Sequence, residues 1–245
     1  MLELWSPEKS IARFIDHTLL KPGATAADID KLCEEAMEHQ FYSVCVNGSW
    51  VSYCTEKLAG TDVAVSAVVG FPLGAMSTKV KVFEAAEAVD DGAAEIDMVL
   101  PIGALLEGRY GVVANDIGAV VRAVEGSAIV KVIFETGMLS DEQKFEACRV
   151  AEAAGAHYVK TSTGFGVGSA TEEDIRLMRK SVSPGIGVKA SGGIRSRETA
   201  LIMLNAGATR LGTSAGVAIV TEAAGNVNST PAGNTAAGPE ASTPY

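Results

Sequence analysis

Seven apolar runs of four to seven residues recur along the chain, most of them separated by stretches of helical periodicity. They are Tyr42–Val46, Val63–Val69, Ala94–Leu100, Ile129–Phe134, His157–Thr161, Gly187–Ala190 and Thr209–Gly212. Most are almost continuous in apolar residues, the pattern of strands covered on both faces. Strands of that kind alternating with helices belong in a parallel sheet. Three joins from helix to run are the pairs Gly92-Ala93, Gly155-Ala156 and Gly207-Ala208, where glycine suits the left-handed residue that closes a helix. Five residues beyond these glycines stand Asp97, Lys160 and Gly212. Units built alike carry all three to one level near the carboxyl ends of their strands. A shorter run, Phe14–Leu20, supplies an eighth strand and carries Asp16 and Thr18. Eight strands close a (β/α)8 TIM barrel, whereas seven leave an open doubly wound sheet. No Gly-x-Gly-x-x-Gly follows the first strand to support the dinucleotide-binding form. The α/β barrel in a single domain is the reading adopted.

Amphipathic segments at Asp28–Gln40, Thr78–Asp91, Asp141–Ala154 and Thr171–Ser181 fill the intervals. Thr25 with Asp28, Ser140 with Gln143 and Thr171 with Asp174 predict capping boxes at helix starts. The 245 residues are 47% hydrophobic and 20% charged, enough for a sizeable core. That balance excludes a largely disordered chain, a collagen and a coiled coil. After Val220 the composition turns to Ala, Gly, Ser, Thr, Asn and Pro. Residues 1–220 therefore read as the barrel, and residues 221–245 as a flexible tail ending in Tyr245. A net charge of -10 repels polyphosphate and argues against nucleic acid as a partner. The cysteines Cys33, Cys45, Cys54 and Cys148 form no C-x-x-C pair and have only three histidines to join them. Neither a zinc site nor a disulfide framework is expected, and reduced thiols in the cytoplasm are. Residues 1–10 have no signal-peptide core. The uncharged stretch Val63–Thr78 is interrupted by Gly70, Pro72 and Gly74, so no membrane span is expected.

Three lysines sit in strand-like runs: Lys131 in AIVKVIFETG, Lys160 in HYVKTSTGFG and Lys189 in GIGVKASGGIR. One such lysine would read as a snorkelling surface residue. Three in consecutive β units point inward to one shared mouth. Neighbouring ammonium groups repel, and burial adds to the penalty, so an amine there can be neutral and nucleophilic. The chemistry that follows is Schiff-base formation with a carbonyl. Asp97, a carboxylate in the apolar run AEIDMVL, can move the protons this requires. Asp16 and Thr18 offer further polar contacts. Glycine-rich turns follow the same strands: Thr163-Gly164, Ser191-Gly192-Gly193, and Gly212 with Thr213 and Ser214. Exposed backbone N–H groups at such turns bind phosphate without a basic surface. Cys45, in YSVCVNG, is either core filler or a residue facing the pocket.

Taken in order, DHTLLKP, VCVN, VVGFPLGA, AEIDMV, KVIFETG, VKTSTGF, GVKASGGIR and LGTSAG resemble the deoxyribose-phosphate aldolases, class I aldolases on a (β/α)8 barrel. The resemblance covers most of the chain. It implies reversible cleavage of 2-deoxy-D-ribose 5-phosphate to D-glyceraldehyde 3-phosphate and acetaldehyde, a step of deoxyribose phosphate and nucleotide catabolism. It implies that Lys160 forms the Schiff base, that Lys189 perturbs it and moves protons, and that Asp97 is proton donor and acceptor. Lys131 would orient Asp97 and its water. Gly164, Gly192, Gly193 and Ser214 would hold the phosphate, with Thr163 and Gly212 beside them. Asp16, Thr18 and Cys45 would contact or shape the substrate site. Some members end in a tyrosine that enters the site, the role implied for Tyr245. Some carry lysine where this chain has Phe165, which shifts phosphate binding at that turn towards backbone amides. No metal or organic cofactor is implied, and a homo-oligomer, a dimer by preference, is. A related Schiff-base enzyme such as a transaldolase stays open, as does a barrel that binds phosphate without catalysis. Donor choice separates the first; Lys160, Lys189 and Asp97 together speak against the second.

Overall fold

The computed structural model describes residues 4–222. Strand and helix alternate as β1 (Ile15–Leu19), α1 (Ala26–His39), β2 (Ser43–Val46), α2 (Val51–Lys57), β3 (Ala64–Val69) and α3 (Thr78–Asp90). Then come β4 (Glu95–Val99), α4 (Ile102–Leu106), α5 (Tyr110–Ala123), β5 (Ile129–Ile133) and α6 (Asp141–Ala153). The series ends with β6 (Tyr158–Lys160), α7 (Glu172–Ser181), β7 (Gly187–Ser191), α8 (Arg197–Asn205), β8 (Arg210–Thr213) and α9 (Gly216–Thr221). The eight strands pair in sequence order and β8 returns to β1, closing a parallel barrel. The run Phe14–Leu20 is the strand that closes it. The last helix extends to Thr221, one residue past the expected end of the barrel, and Tyr245 lies outside the described residues.

The expected helix-closing glycines adopt left-handed backbone, with φ of 105° at Gly92, 91° at Gly155 and 113° at Gly207. Two of the three capping boxes form in full, at Thr25 and at Ser140. The third is corrected to a half: Thr171 accepts from Asp174 N, but the Asp174 carboxylate turns to Lys144 Nζ at 2.7 Å. Outward-facing strand residues such as Val44, Ile96, Val132 and Val188 are fully buried against the helix ring. Inward positions are instead heavily polar, with Asp16, Ser43, Ser66, Glu95, Asp97, Lys131, Lys160, Lys189 and Arg210 all buried. The apolar core therefore lies between barrel and helices, and the barrel interior is left for charge. Among the described residues no helix is long and apolar enough to cross a membrane.

Candidate active site

Strand pairing explains how the three lysines meet. Asp97 is the register partner of Lys131, and Lys131 of Tyr158, so Lys160 stands two residues further along its strand. Lys160 is in turn the partner of Lys189. The tilt of barrel strands makes up the stagger. All three amines converge on one carboxylate: Lys160 Nζ and Lys189 Nζ each lie 2.7 Å from Asp97 Oδ2, and Lys131 Nζ lies 2.8 Å from Oδ1. Ser66 also donates to Asp97 Oδ1, at 3.1 Å.

A cavity of about 290 Å³ opens above this cluster. Lys160 lines it; Lys131, Lys189 and Asp97 do not. Of the three amines, the one with access to a ligand is therefore Lys160. Its electrostatics differ too. Burial, reinforced by the Lys189 charge and opposed by Asp97, pulls the Lys160 amine below the ordinary lysine value. Burial opposes the Lys189 charge as well, but Asp16 and Asp97 outweigh it and hold that amine above its ordinary value. Lys189 is 2.5 Å from Asp16 Oδ2, a counter-ion that the Lys160 pairs do not include. Mutual repulsion thus does not depress both amines equally: the one with an extra carboxylate stays charged. Lys131 is held well above its usual value against burial by Asp97, Glu95 and Asp16. The reciprocal field of the three lysines, again working against burial, keeps Asp97 ionised far below the usual carboxylate range.

The glycine turns form the opposite wall. Gly164, Gly192, Gly193, Gly212 and Ser214 all line the cavity, as does Thr18. Gly164, Gly192 and Gly193 have φ of 82°, 87° and 75°. The last two stand just before α8, whose cap is Ser196 Oγ accepting from Thr199 N at 3.2 Å. Such turns after the last barrel strands suit an anion. Thr163 lines the cavity, but its hydroxyl is engaged in the loop itself. It donates to Glu135 Oε2 at 2.5 Å and accepts from Phe165 N and Gly166 N at 3.0 and 3.2 Å. Exposed Lys21 and Arg195 add two cations to the rim.

Other expected residues lie lower or to the side. Asp16 is fully buried under the cavity, accepting from Ser43 Oγ at 2.7 Å and from Arg210 Nη1 at 2.8 Å. Cys45 is also fully buried, packed with Leu20, Val68 and Phe71 near the mouth, and burial pushes its thiol up. Glu95, Glu135 and Arg210 went unnoticed in the sequence. Glu95 and Arg210 carry the signal that marked the lysines, a charge inside an apolar run.

The family model described as DeoC/LacD family aldolase matches residues 10–222. A protein of Alkaliphilus oremlandii named deoxyribose-phosphate aldolase is 60% identical over 213 residues, 87% of this chain and 96% of that one. The Enterococcus faecalis protein of the same name is 56% identical, over 87% of this chain and 97% of its own. Among solved structures, the deoxyribose phosphate aldolase of Aeropyrum pernix, described as a unique tetramer, superposes with a TM-score of 0.79 at 34% identity. That match covers 86% of this chain and 89% of that one.

Proposed function

The chain belongs to the DeoC/LacD family of aldolases, and from that premise we propose that it cleaves 2-deoxy-D-ribose 5-phosphate reversibly to D-glyceraldehyde 3-phosphate and acetaldehyde. One observation carries the chemical assignment: Lys160 lines the cavity and is also the lysine whose amine is pulled towards neutrality. Neutral Nζ attacks the aldehyde carbon of the open-chain sugar, and loss of water from the carbinolamine leaves an iminium. The bond between the second and third sugar carbons then breaks. Its electron pair moves to the iminium nitrogen as an enamine, and the third carbon's hydroxyl proton leaves to a base. Protonation of the enamine carbon and hydrolysis release acetaldehyde.

Asp97, bonded to the Lys160 nitrogen, and Lys189, which shares the same Asp97 oxygen, hold and move protons there, and Lys131 fixes the Asp97 carboxylate. Gly164, Gly192, Gly193 and Ser214 receive the phosphate, with Gly212 and Thr163 shaping that wall and Thr18 facing the sugar. Tyr245 completes the proton path at the enamine carbon in this reading. Lysine serves as the electron sink, so the reaction needs no added cofactor. The four cysteines are free and buried, which suits the reducing cytoplasm we assign.

The test is to incubate the protein with acetaldehyde and borohydride and map the adduct by peptide mass spectrometry. A reduced adduct on Lys160, absent from Lys160→Met, is expected. A folded protein with no adduct overturns the reading, and an adduct on Lys189 reverses the two lysine roles. We further assign a homodimer, the simplest closed assembly, through α3. Val80 and Phe83, three residues apart on that helix, are 52% and 67% exposed. Light scattering should give twice the 25.3 kDa chain mass and lose the dimer in Phe83→Asp; a monomeric wild type refutes it.

A further inference from the structure

Seven acidic and basic side chains share the barrel interior, beside the thiol of Cys45 and the phenol of Tyr158, both pushed up by burial. Asp16, Glu95 and Asp97 are acids; Lys131, Lys160, Lys189 and Arg210 are bases, and none is more than 3% exposed. Three carboxylates cannot neutralise four cations, and an uncompensated buried charge is strongly destabilising. Arginine does not deprotonate in proteins, so the base able to shed the surplus proton is a lysine.

The pairs single out which one. Lys131 Nζ lies 2.5 Å from Glu95 Oε2, 2.8 Å from Asp97 Oδ1 and 3.5 Å from Asp16 Oδ2. Lys189 has Asp16 at 2.5 Å and Asp97 at 2.7 Å. The Lys160 pair is with Asp97, whose carboxylate it shares with both other lysines. Arg210 takes the remaining capacity. Its Nη1 lies 2.8 Å from Asp16 Oδ1 and 3.2 Å from both Glu95 oxygens. The guanidinium sits 3.3 Å above the Tyr42 ring centroid, and Nη2 is 3.4 Å from the Tyr158 hydroxyl.

We propose that Arg210, which does not line the cavity, is a positioning residue for the Lys160 chemistry: as a fourth cation sharing Glu95 with Lys131 and Asp16 with Lys189, it leaves the cluster one carboxylate short and makes Lys160 the amine that gives up its proton. The inference rests on the reading of Lys160 as the imine-forming lysine. With a neutral side chain at 210, acids and bases stand three to three. Glu95 then serves Lys131 and Asp16 serves Lys189. Asp97 is left as a full counter-ion for Lys160, which keeps its proton. Facing Lys160 are Asp97 from β4, Lys189 from β7 and Cys45 from β2. Facing Arg210 are Asp16 from β1, Glu95 from β4 and Tyr158 from β6, with Tyr42 just ahead of β2 and Lys131 sharing both acids.

The measurement is the pH dependence of acetaldehyde trapping on Lys160, in wild type, Arg210→Met, Glu95→Gln and the double variant. Only the neutral amine attacks, so trapping slows as pH falls through the Lys160 pKa, and raising that pKa moves the acidic limb upward. Arg210→Met is expected to move the limb up by about one pH unit or more, an about tenfold slower reaction on the acidic side that recovers at higher pH. The double variant restores a surplus of one base and should return to the wild-type limb. Glu95→Gln alone leaves a surplus of two and should move the limb down. An Arg210→Met limb that coincides with wild type, a loss independent of pH, or a double variant that behaves like Arg210→Met overturns the proposal. If circular dichroism shows Arg210→Met unfolded, Glu95→Gln decides, and an unmoved or raised limb refutes it. A wild type with no Lys160 adduct rejects the imine assignment itself, before any variant is compared.

Discussion

Gly212 shows how closely the lysine cluster is fitted. A Cβ there would stand 3.0 Å from Lys189 Cε and 3.0 Å from Ser191 Cβ. The missing side chain is the space that Lys189 occupies on its way to Asp97. Gly212→Ala should push the Lys189 ammonium off its partners and lower kcat by about 10²-fold, as small misplacements of reacting groups do. Far-UV circular dichroism should stay native; an unchanged kcat would show that the fit is loose. Asp97, Lys160 and Lys189 could be read from the sequence because a charge in an apolar strand is conspicuous. Ser43 and Ser66 could not, since a serine in a strand carries no such signal and its carboxylate partner lies on another strand. Glu135 was hidden differently. Its backbone is left-handed, with φ of 59°, and its role depends on a loop 28 residues away.

Elements with strong local chemistry were the ones the sequence revealed. The box at Ser140 pairs its hydroxyl with Gln143 N at 3.3 Å and its amide with Gln143 Oε1 at 2.9 Å. Ser140→Ala should cost about 1 kcal/mol in urea unfolding and leave kcat/KM alone, because α6 sends no side chain into the cavity. No loss of stability would mean that Glu142 and Gln143 hold the helix start without the hydroxyl. The Thr171 box failed in its second half because a tertiary ion pair to Lys144 competes for Asp174. Helix α5 escaped notice for a related reason. Gly111 and Gly118 weaken its helical signature, and packing supplies what propensity lacks. Boundaries shifted by a residue where apolar runs outlast their ladders: β6 was expected at His157–Thr161 and spans Tyr158–Lys160.

At the scale of the molecule, an acidic chain separates its charges, and the proposed anion site follows from that separation. The cavity wall is made of glycine turns and two rim cations, while three lysines and an arginine are enclosed with carboxylates in the barrel. Seven strands were plain in the sequence. The choice between an open sheet and a barrel hung on β1, whose Asp16, His17 and Thr18 dilute the apolar run. Pairing with both β2 and β8 settles it. The bond from Arg210 to Asp16 crosses that last seam and spans 194 residues of sequence. On a ribosome, the acid is therefore made near the beginning and its arginine near the end. Until β8 emerges, the nascent polypeptide holds its lysines and their carboxylates without the arginine that shares Asp16 and Glu95 with them. A product cut short before that strand lacks Arg210, Gly212 and Ser214 together. On the proposed reading catalytic competence arrives late in synthesis, so a copy cut short before β8 should trap no aldehyde.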